Sequence, residues 1–299
     1  MTARFFLLGD VMVDVTAIVG QPLNYASDTP AKVTIQPGGA AANTACWLAH
    51  DGEDATLIGA IGDDPFGDIV TQNLAAFNVS SALATIDGST TGACIVIVDQ
   101  RGERTMLPDP GANAGLAVED LPTSSFRAGD HLHLSGYTLL NAATRAVGMS
   151  ALHQAREAGM TTSLDPASAA PLAHDPAVFD AALLIIDLLI ANEAEASVLT
   201  GIIDPGLALA SLSGRVPTVV VKRGHLGSIA QRARVQHEAD AVTVSVVDTT
   251  GAGDAFAAGF LPPWILGRDL AECLGQASIS AARAVARVGA GPGFASPGE

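Results

Sequence analysis

Apolar positions in this chain fall into short runs separated by segments of helical period. Residues 5–8, 55–61, 131–134, 161–164, 184–190 and 216–221 are apolar runs bounded by Gly, Pro, Asn or Asp, and each reads as a buried strand. Between them, residues 40–49, 66–77, 142–158 and 192–199 read as helices, and residues 270–288 as a closing helix. Strands alternating with helices over this length imply an α/β fold with a mainly parallel sheet, whose strand C-termini carry the ligand loops.

Two regions break the rhythm. Residues 11–36 and 90–108 contain strand-like runs with no helix between them. Residues 94–98 and 104–107 flank Asp99-Gln-Arg-Gly102, which reads as a hairpin turn. These strands predict a small separate sheet serving as a lid that keeps water from a reaction. The expectation is one α/β domain over residues 1–299 with lid segments at 11–36 and 90–108, ending in an irregular Gly/Pro-rich tail after Gly289.

The most informative stretch is Asp248-Thr-Thr-Gly-Ala-Gly-Asp-Ala-Phe256. It follows an alternating run at 242–247, read as a strand, and leads into a small-residue helical run from Asp254. A strand, a Gly-rich turn and a helix start make an anion site, because the first helical amides lack intrahelical acceptors and the dipole places about half a positive charge there. Gly251 and Gly253 allow close backbone approach. Asp254 beside that site would repel an anion, so its presence needs a reason, and taking a proton from a hydroxyl that attacks phosphate supplies one. The loop is neither a Walker A motif nor a Gly-x-Gly-x-x-Gly fingerprint.

Charge narrows the partners. The 31 acidic residues against 15 basic ones give a formal net charge of -16, which argues against nucleic acid. Cys46, Cys94 and Cys273 sit in apolar surroundings with no paired or zinc-type spacing, as expected of reduced thiols. The apolar N-terminal run is too short for a signal peptide, and the longest apolar block, 181–191, contains Asp187 and is too short to cross a bilayer. A cytoplasmic protein without membrane partners is expected.

Asp-Thr-Thr-Gly-Ala-Gly-Asp-Ala-Phe resembles the C-terminal signature of the ribokinase-like (PfkB) carbohydrate kinases. Pro37-Gly-Gly-Ala-Ala-Ala-Asn-Thr-Ala45 resembles their N-terminal Gly-Gly motif, and further matches lie at Asp14, Gly59-Ala-Ile-Gly-Asp-Asp64, Gly111-Ala-Asn-Ala114 and Asn192-Glu-Ala-Glu195. The resemblance spans nearly the whole chain. It implies a ribokinase-like three-layer α/β/α sandwich with a β lid, and ATP-dependent phosphorylation of a hydroxyl. Asp254 would then be the general base, with the amides of Gly251, Ala252 and Gly253 stabilising charge on the transferred group. Asp14, Gly38, Gly39 and Asn43 would bind the acceptor. Asn192, Lys222, Gly224, Gly227 and Thr249 would face the nucleotide, with Glu195 helping to place Mg²⁺ through water.

Each position also has a plainer reading. Gly38-Gly39 is a tight turn into a helix, Asn43 a first-turn residue bonded to backbone, Glu195 a solvated helix carboxylate, and Lys222 an exposed cation. His131 and His133 alternate on a strand with no further ligand set and read as structural. The resemblance also leaves K⁺ open: Asp248, Thr250, Ala284 and Gly289 fall where family members hold a monovalent cation, but Gly293 stands where a serine is expected.

The acceptor is the unsettled part. Ribokinases proper follow the Gly-Gly with Lys, where this chain has Ala40, and carry a sugar-binding Glu where it reads Leu134-Ser-Gly-Tyr137. Ser-Gly there is similar to 2-keto-3-deoxygluconate kinases, whose acidic sugar would need a cation such as Arg104. Adenosine-type nucleosides remain alternatives, as does a catalytically silent sugar-binding protein. A homodimer through the lid is a further expectation.

Overall fold

The computed structural model describes residues 3–101 and 103–293. Gly102 of the expected hairpin turn and the last six residues of the expected tail, 294–299, lie outside them. Nine strands form the main sheet in the order Val235–Ala239, Ser228–Arg232, Thr218–Lys222, Leu188–Asn192, Thr161–Asp165, His131–Ser135, Arg4–Leu8, Asp54–Ile61 and Ser80–Thr85. All neighbours from Thr218–Lys222 to Ser80–Thr85 pair in parallel, and the two strands at the other edge are antiparallel.

Period-two alternation explains the layering. In the strand Arg4–Leu8, Phe5 and Leu7 enter one core and Phe6 and Leu8 the other. The first core packs under helices Ala40–His50, Pro65–Ala76, Ala252–Ile265 and Leu270–Val285 through Trp47, Leu74, Phe260 and Leu274. The second packs under Arg145–Glu157 and Pro205–Leu212 through Leu152 and Leu209. Strands buried on both faces need apolar residues at every position, which is why they stand out as unbroken runs.

A second sheet orders Ala31–Gly38, Met12–Val19, Gly92–Val98 and Arg104–Asp109. It is the small sheet expected from residues 11–36 and 90–108. Asp14, Gln36 and Cys94 share one register row, and Val15, Ile35, Ile95 and Leu107 share the next, on the opposite face. Among the described residues, no single helix is long and apolar enough to cross a membrane. The three cysteines are free and buried.

Three expected elements differ. The run 184–190 does not begin as a strand: Asp180–Leu183 is helical, Ile185 and Ile186 donate to Ala182 in a turn, and the strand is Leu188–Asn192. Its turn residues are as apolar as its strand residues, so hydrophobicity could not mark the boundary. The run 242–247 joins neither sheet. Val242, Val244 and Val246 line a cavity, and Val246 is 63% exposed. The helix expected at 142–158 begins at Arg145, after the turn in which Thr144 and Arg145 both donate to the Asn141 carbonyl.

Candidate active site

The site lies at the C-terminal ends of the parallel strands. Gly251 caps the helix Ala252–Ile265 at φ +72, and a Cβ there would meet the Ala290 carbonyl oxygen at 2.3 Å, so only glycine fits. The amides of the helix start face two cavities. One, of about 200 Å³, is lined by Ala40, Ser135, Asp165, Lys222, Gly253 and Asp254 among others. The other, of about 670 Å³, is lined by Gly224, Gly227, Val246, Thr249 and Phe256 among others. Asn192, Lys222 and Gly253 belong to both, so the cavities meet at the glycine beside Asp254.

Asp254 stands in the first turn of its helix and accepts from Asn43 Nδ2 at 2.9 Å. Burial pushes its carboxyl up to about 7, with Asp165 and Asp10 adding to the rise and Asn43 and Lys222 opposing it. It is therefore poised to exchange a proton near neutral pH. Asn43 was expected to bind the acceptor or its own backbone; here its side chain holds the carboxylate.

Opposite, Gly39 caps the helix Ala40–His50 at φ +98, where a Cβ would meet the Asp10 carbonyl oxygen at 2.3 Å. A Cβ on Gly38 would lie 2.6 Å from Asp14 Oδ2, so the glycine pair lets the backbone close against the Asp14 carboxylate and the Asp10 backbone. Burial, and then Asp10, push Asp14 up to about 6. Asp10 was not legible from sequence as a site residue. Its Oδ2 accepts from the Ala40 amide at 3.2 Å and its Oδ1 from the Ser135 hydroxyl at 3.1 Å.

Lys222 is neither exposed nor free. Its Nζ donates to Asp165 Oδ2 at 2.6 Å, with both side chains mostly buried. Burial alone would lower the ammonium pKa, but Asp165 and Glu195 outweigh it and hold the pKa above its ordinary value. Asp165 was also missed. Both missed carboxylates sit at the C-terminal ends of central parallel strands, Asp165 as the last residue of Thr161–Asp165 and Asp10 two residues beyond Arg4–Leu8. The strand-end rule would have found them.

Asn192 and Glu195 close a reciprocal capping box on the helix Glu193–Thr200. Asn192 Oδ1 accepts from the Glu195 amide at 2.9 Å, while Glu195 accepts from the Asn192 amide and Nδ2, each at 2.7 Å. Glu195 is only 2% exposed, so it is no solvated carboxylate. Burial, then Asp165, raise it to about 7. Both its oxygens already accept from protein, and among the described residues no three His, Cys, Asp or Glu side chains converge as a metal cage. That suits a metal held through water rather than by direct carboxylate ligation.

Asp248 accepts from the Thr250 amide at 2.8 Å, the Thr250 hydroxyl at 2.7 Å and the Gly289 amide at 3.0 Å. Burial opposes the shift, but these donors and Arg104 hold its carboxyl below the ordinary value. His131 and His133 share the Ser163 hydroxyl at 2.7 Å each, and burial lowers both imidazoles, His133 to about 4. His131 is held by Thr161 and Ser163, while His133 also lines the smaller cavity. Asn113, of the Gly-Ala-Asn-Ala match, exchanges hydrogen bonds with the Val11 backbone at 2.7 and 2.8 Å and pins the entry to the small sheet.

The pfkB family carbohydrate kinase profile matches residues 3–296. The chain belongs to this family. A fructokinase from Klebsiella pneumoniae is 35% identical over 271 residues, covering 87% of this chain and 84% of that one. An ATP-dependent ribose-1-phosphate kinase from Halopiger xanaduensis is 31% identical over 254 residues, covering 85% and 81%. A candidate ribokinase II from E. coli, solved with ATP and Mg²⁺, superposes with a TM-score of 0.87 at 26% identity, covering 98% and 96%. The PfkB chain described here is thus a ribokinase-like sugar kinase, a phosphotransferase with an alcohol group as acceptor.

Proposed function

We propose that this PfkB protein transfers the γ-phosphoryl group of ATP to a hydroxyl of a small neutral carbohydrate, with Asp254 as general base. The observation that carries this reading is the junction at Gly253: a carboxyl poised near 7 stands where an acid-lined cavity meets a larger one. The smaller cavity takes the acceptor, with Asp14, Asp10, Gly38 and Gly39 at its hydroxyls. The larger takes the nucleotide, its apolar wall formed by Val242, Val244 and Val246 and its floor by Gly224, Gly227 and Thr249. Asp254 removes the proton as the acceptor oxygen attacks. The amides of Gly251, Ala252 and Gly253 then receive negative charge building on the phosphoryl oxygens.

Lys222 balances charge between the cavities, held in place by Asp165. Asn192 and Glu195 would hold Mg²⁺ through water, and the ion would neutralise phosphate charge when bound. The small sheet covers the acceptor from the Asp14 side as a lid inserted in a single domain. On its other face Val33, Ile35, Ile95 and Leu107 are about half exposed (58, 53, 49 and 52%), and a second lid is the proposed cover, giving a homodimer that a sizing experiment tests.

Charge favours a neutral acceptor. Asp165, Glu195 and Asp254 line the smaller cavity, Asp10 bonds to its lining residues Ala40 and Ser135, and Lys222 is already paired, so a sugar phosphate or sugar acid meets repulsion there. Fructose, the acceptor named in the Klebsiella relative, is the first candidate, with neutral nucleosides second. ATP consumption over neutral sugars, sugar acids, sugar phosphates and nucleosides tests the reading. Turnover confined to neutral acceptors supports it; binding without turnover throughout would leave a silent sugar-binding protein.

A further inference from the structure

Arg104 opens the edge strand Arg104–Asp109 of the small sheet, in register with Val98 and, through it, Ile18. Ile18 and Asp14 alternate onto the same face, so Arg104 points from the face that carries Asp14. Its guanidinium crosses to the anion loop of the main sheet. Nη2 lies 2.5 Å from Asp248 Oδ1 and donates to Thr249 Oγ1 at 3.1 Å, while Nη1 donates to Thr250 Oγ1.

This contact decides how well a monovalent cation fits. Asp248 Oδ1 accepts from Arg104, the Thr250 amide and the Thr250 hydroxyl, and Oδ2 from the Gly289 amide. Oδ1 thus meets three donors, more than its two lone pairs match, and Oδ2 meets one. Gly289 turns its N–H to Asp248, and the Ala284 carbonyl accepts from the Arg287 amide at 3.2 Å. A cation added at Asp248 Oδ1 would have to displace the Arg104 guanidinium.

We propose that Arg104 supplies the positive charge beside the anion loop in place of a monovalent ion, and that seating of the small sheet delivers it. The proposal rests on the kinase reading above, because the charge matters when phosphate meets a loop that also holds Asp248. A guanidinium within hydrogen-bond reach of Asp248, Thr249 and Thr250 neutralises the carboxylate and fixes the turn that presents the Gly251–Gly253 amides. Arg104 is a positioning residue, and it makes lid closure and completion of the anion loop one event.

The test compares wild type, Arg104→Ala and Arg104→Lys in tetramethylammonium chloride and in matched KCl, by steady-state kinetics and by thermal melting. Wild-type kcat should change less than about twofold with K⁺. In Arg104→Ala, kcat should fall by about 10–100-fold with KM for the acceptor changing less, as lost charge-assisted bonds predict. K⁺ should restore part of that loss, and Arg104→Lys should recover part of it without K⁺. K⁺ should also raise the melting temperature of Arg104→Ala by about 2 °C or more while leaving wild type unmoved. The proposal is overturned by a wild type activated about tenfold by K⁺, by an unimpaired Arg104→Ala, or by an impaired one on which K⁺ acts in neither readout. If wild type phosphorylates no acceptor, the kinase reading falls, and the melting arm still decides where the charge beside Asp248 comes from.

Discussion

Asn43 Nδ2 donates to Asp254 Oδ2 at 2.9 Å, joining the first turn of the helix Ala40–His50 to the first turn of Ala252–Ile265. The two motifs that stand 211 residues apart in sequence are thus one unit in space. The bond stabilises the ionised carboxylate against burial. With Asp254 titrating at about 7, turnover should rise with pH through that region as the base loses its proton. Asn43→Ala removes a donor to the charged form, so the rise should move to higher pH, with roughly tenfold less turnover at neutral pH. A pH–kcat profile of both proteins checks it; an unmoved profile contradicts it.

The raised Asp254 carboxyl also makes a stability prediction. Its folded pKa lies above the ordinary carboxylate value, so its contribution is fully present below about pH 4 and is lost as pH rises to about 7. Asp254→Asn removes a group that is costly to ionise and keeps an oxygen for Asn43 to meet. The variant should melt higher than wild type at pH 8 and nearly with it at pH 4. Melting scans at the two pH values measure this, and a variant less stable at pH 8 would refute the assigned environment.

A change at Gly38 should separate acceptor binding from nucleotide binding. A Cβ at 2.6 Å from Asp14 Oδ2 must push the carboxylate or the turn aside. Gly38→Ala should raise KM for the sugar by about tenfold or more while KM for ATP changes little. Equal effects on both would mean that Asp14 does not face the acceptor.

Lys222 and Asp165 should behave as a coupled pair. Lys222→Met leaves Asp165 beside the other carboxylates without its cation, which should cost about 2–3 kcal/mol of stability. Adding Asp165→Leu should restore part of that loss while turnover stays low. A double-mutant cycle by chemical denaturation measures the coupling. Additive effects would show that the 2.6 Å contact carries no coupling energy.

Glu195→Gln should shift the Mg²⁺ dependence. The capping box survives in large part because the amide oxygen can still accept from the Asn192 backbone, but the charge that orders water around an ion is lost. The Mg²⁺ concentration giving half-maximal turnover should rise several-fold with a small change in melting temperature. An unchanged Mg²⁺ titration would confine Glu195 to its cap.

Much of the fold was legible because its strands are buried on both faces and so carry uninterrupted apolar runs, as Phe5 to Leu8 do. Where apolar residues serve a turn or a cavity wall instead, the same signal misled. Ile185 and Ile186 are in a turn, and Val242, Val244 and Val246 border a cavity with no strand partner. The short motifs of the site announced themselves, because Gly251 at φ +72 and Gly39 at φ +98 permit no other residue. Single carboxylates did not. Asp10 and Asp165 carry no local motif and acquire meaning only from Ser135 and Lys222, which the fold brings from 125 and 57 residues away. The Arg104 contact, between an edge strand of one sheet and a loop beside the other, likewise has no sequence signal of its own.

The central claim is that Asp254 takes the proton from a neutral sugar hydroxyl as ATP donates its phosphoryl group. The most direct measurement is ATP-dependent phosphorylation of fructose by wild type and Asp254→Asn, with binding of fructose and ATP to the variant followed by calorimetry. The account predicts turnover by wild type, a loss of about 10³-fold or more in Asp254→Asn, and retained binding of both ligands, since general-base removal together with lost positioning removes on that order of rate. Near-wild-type turnover by Asp254→Asn would contradict it.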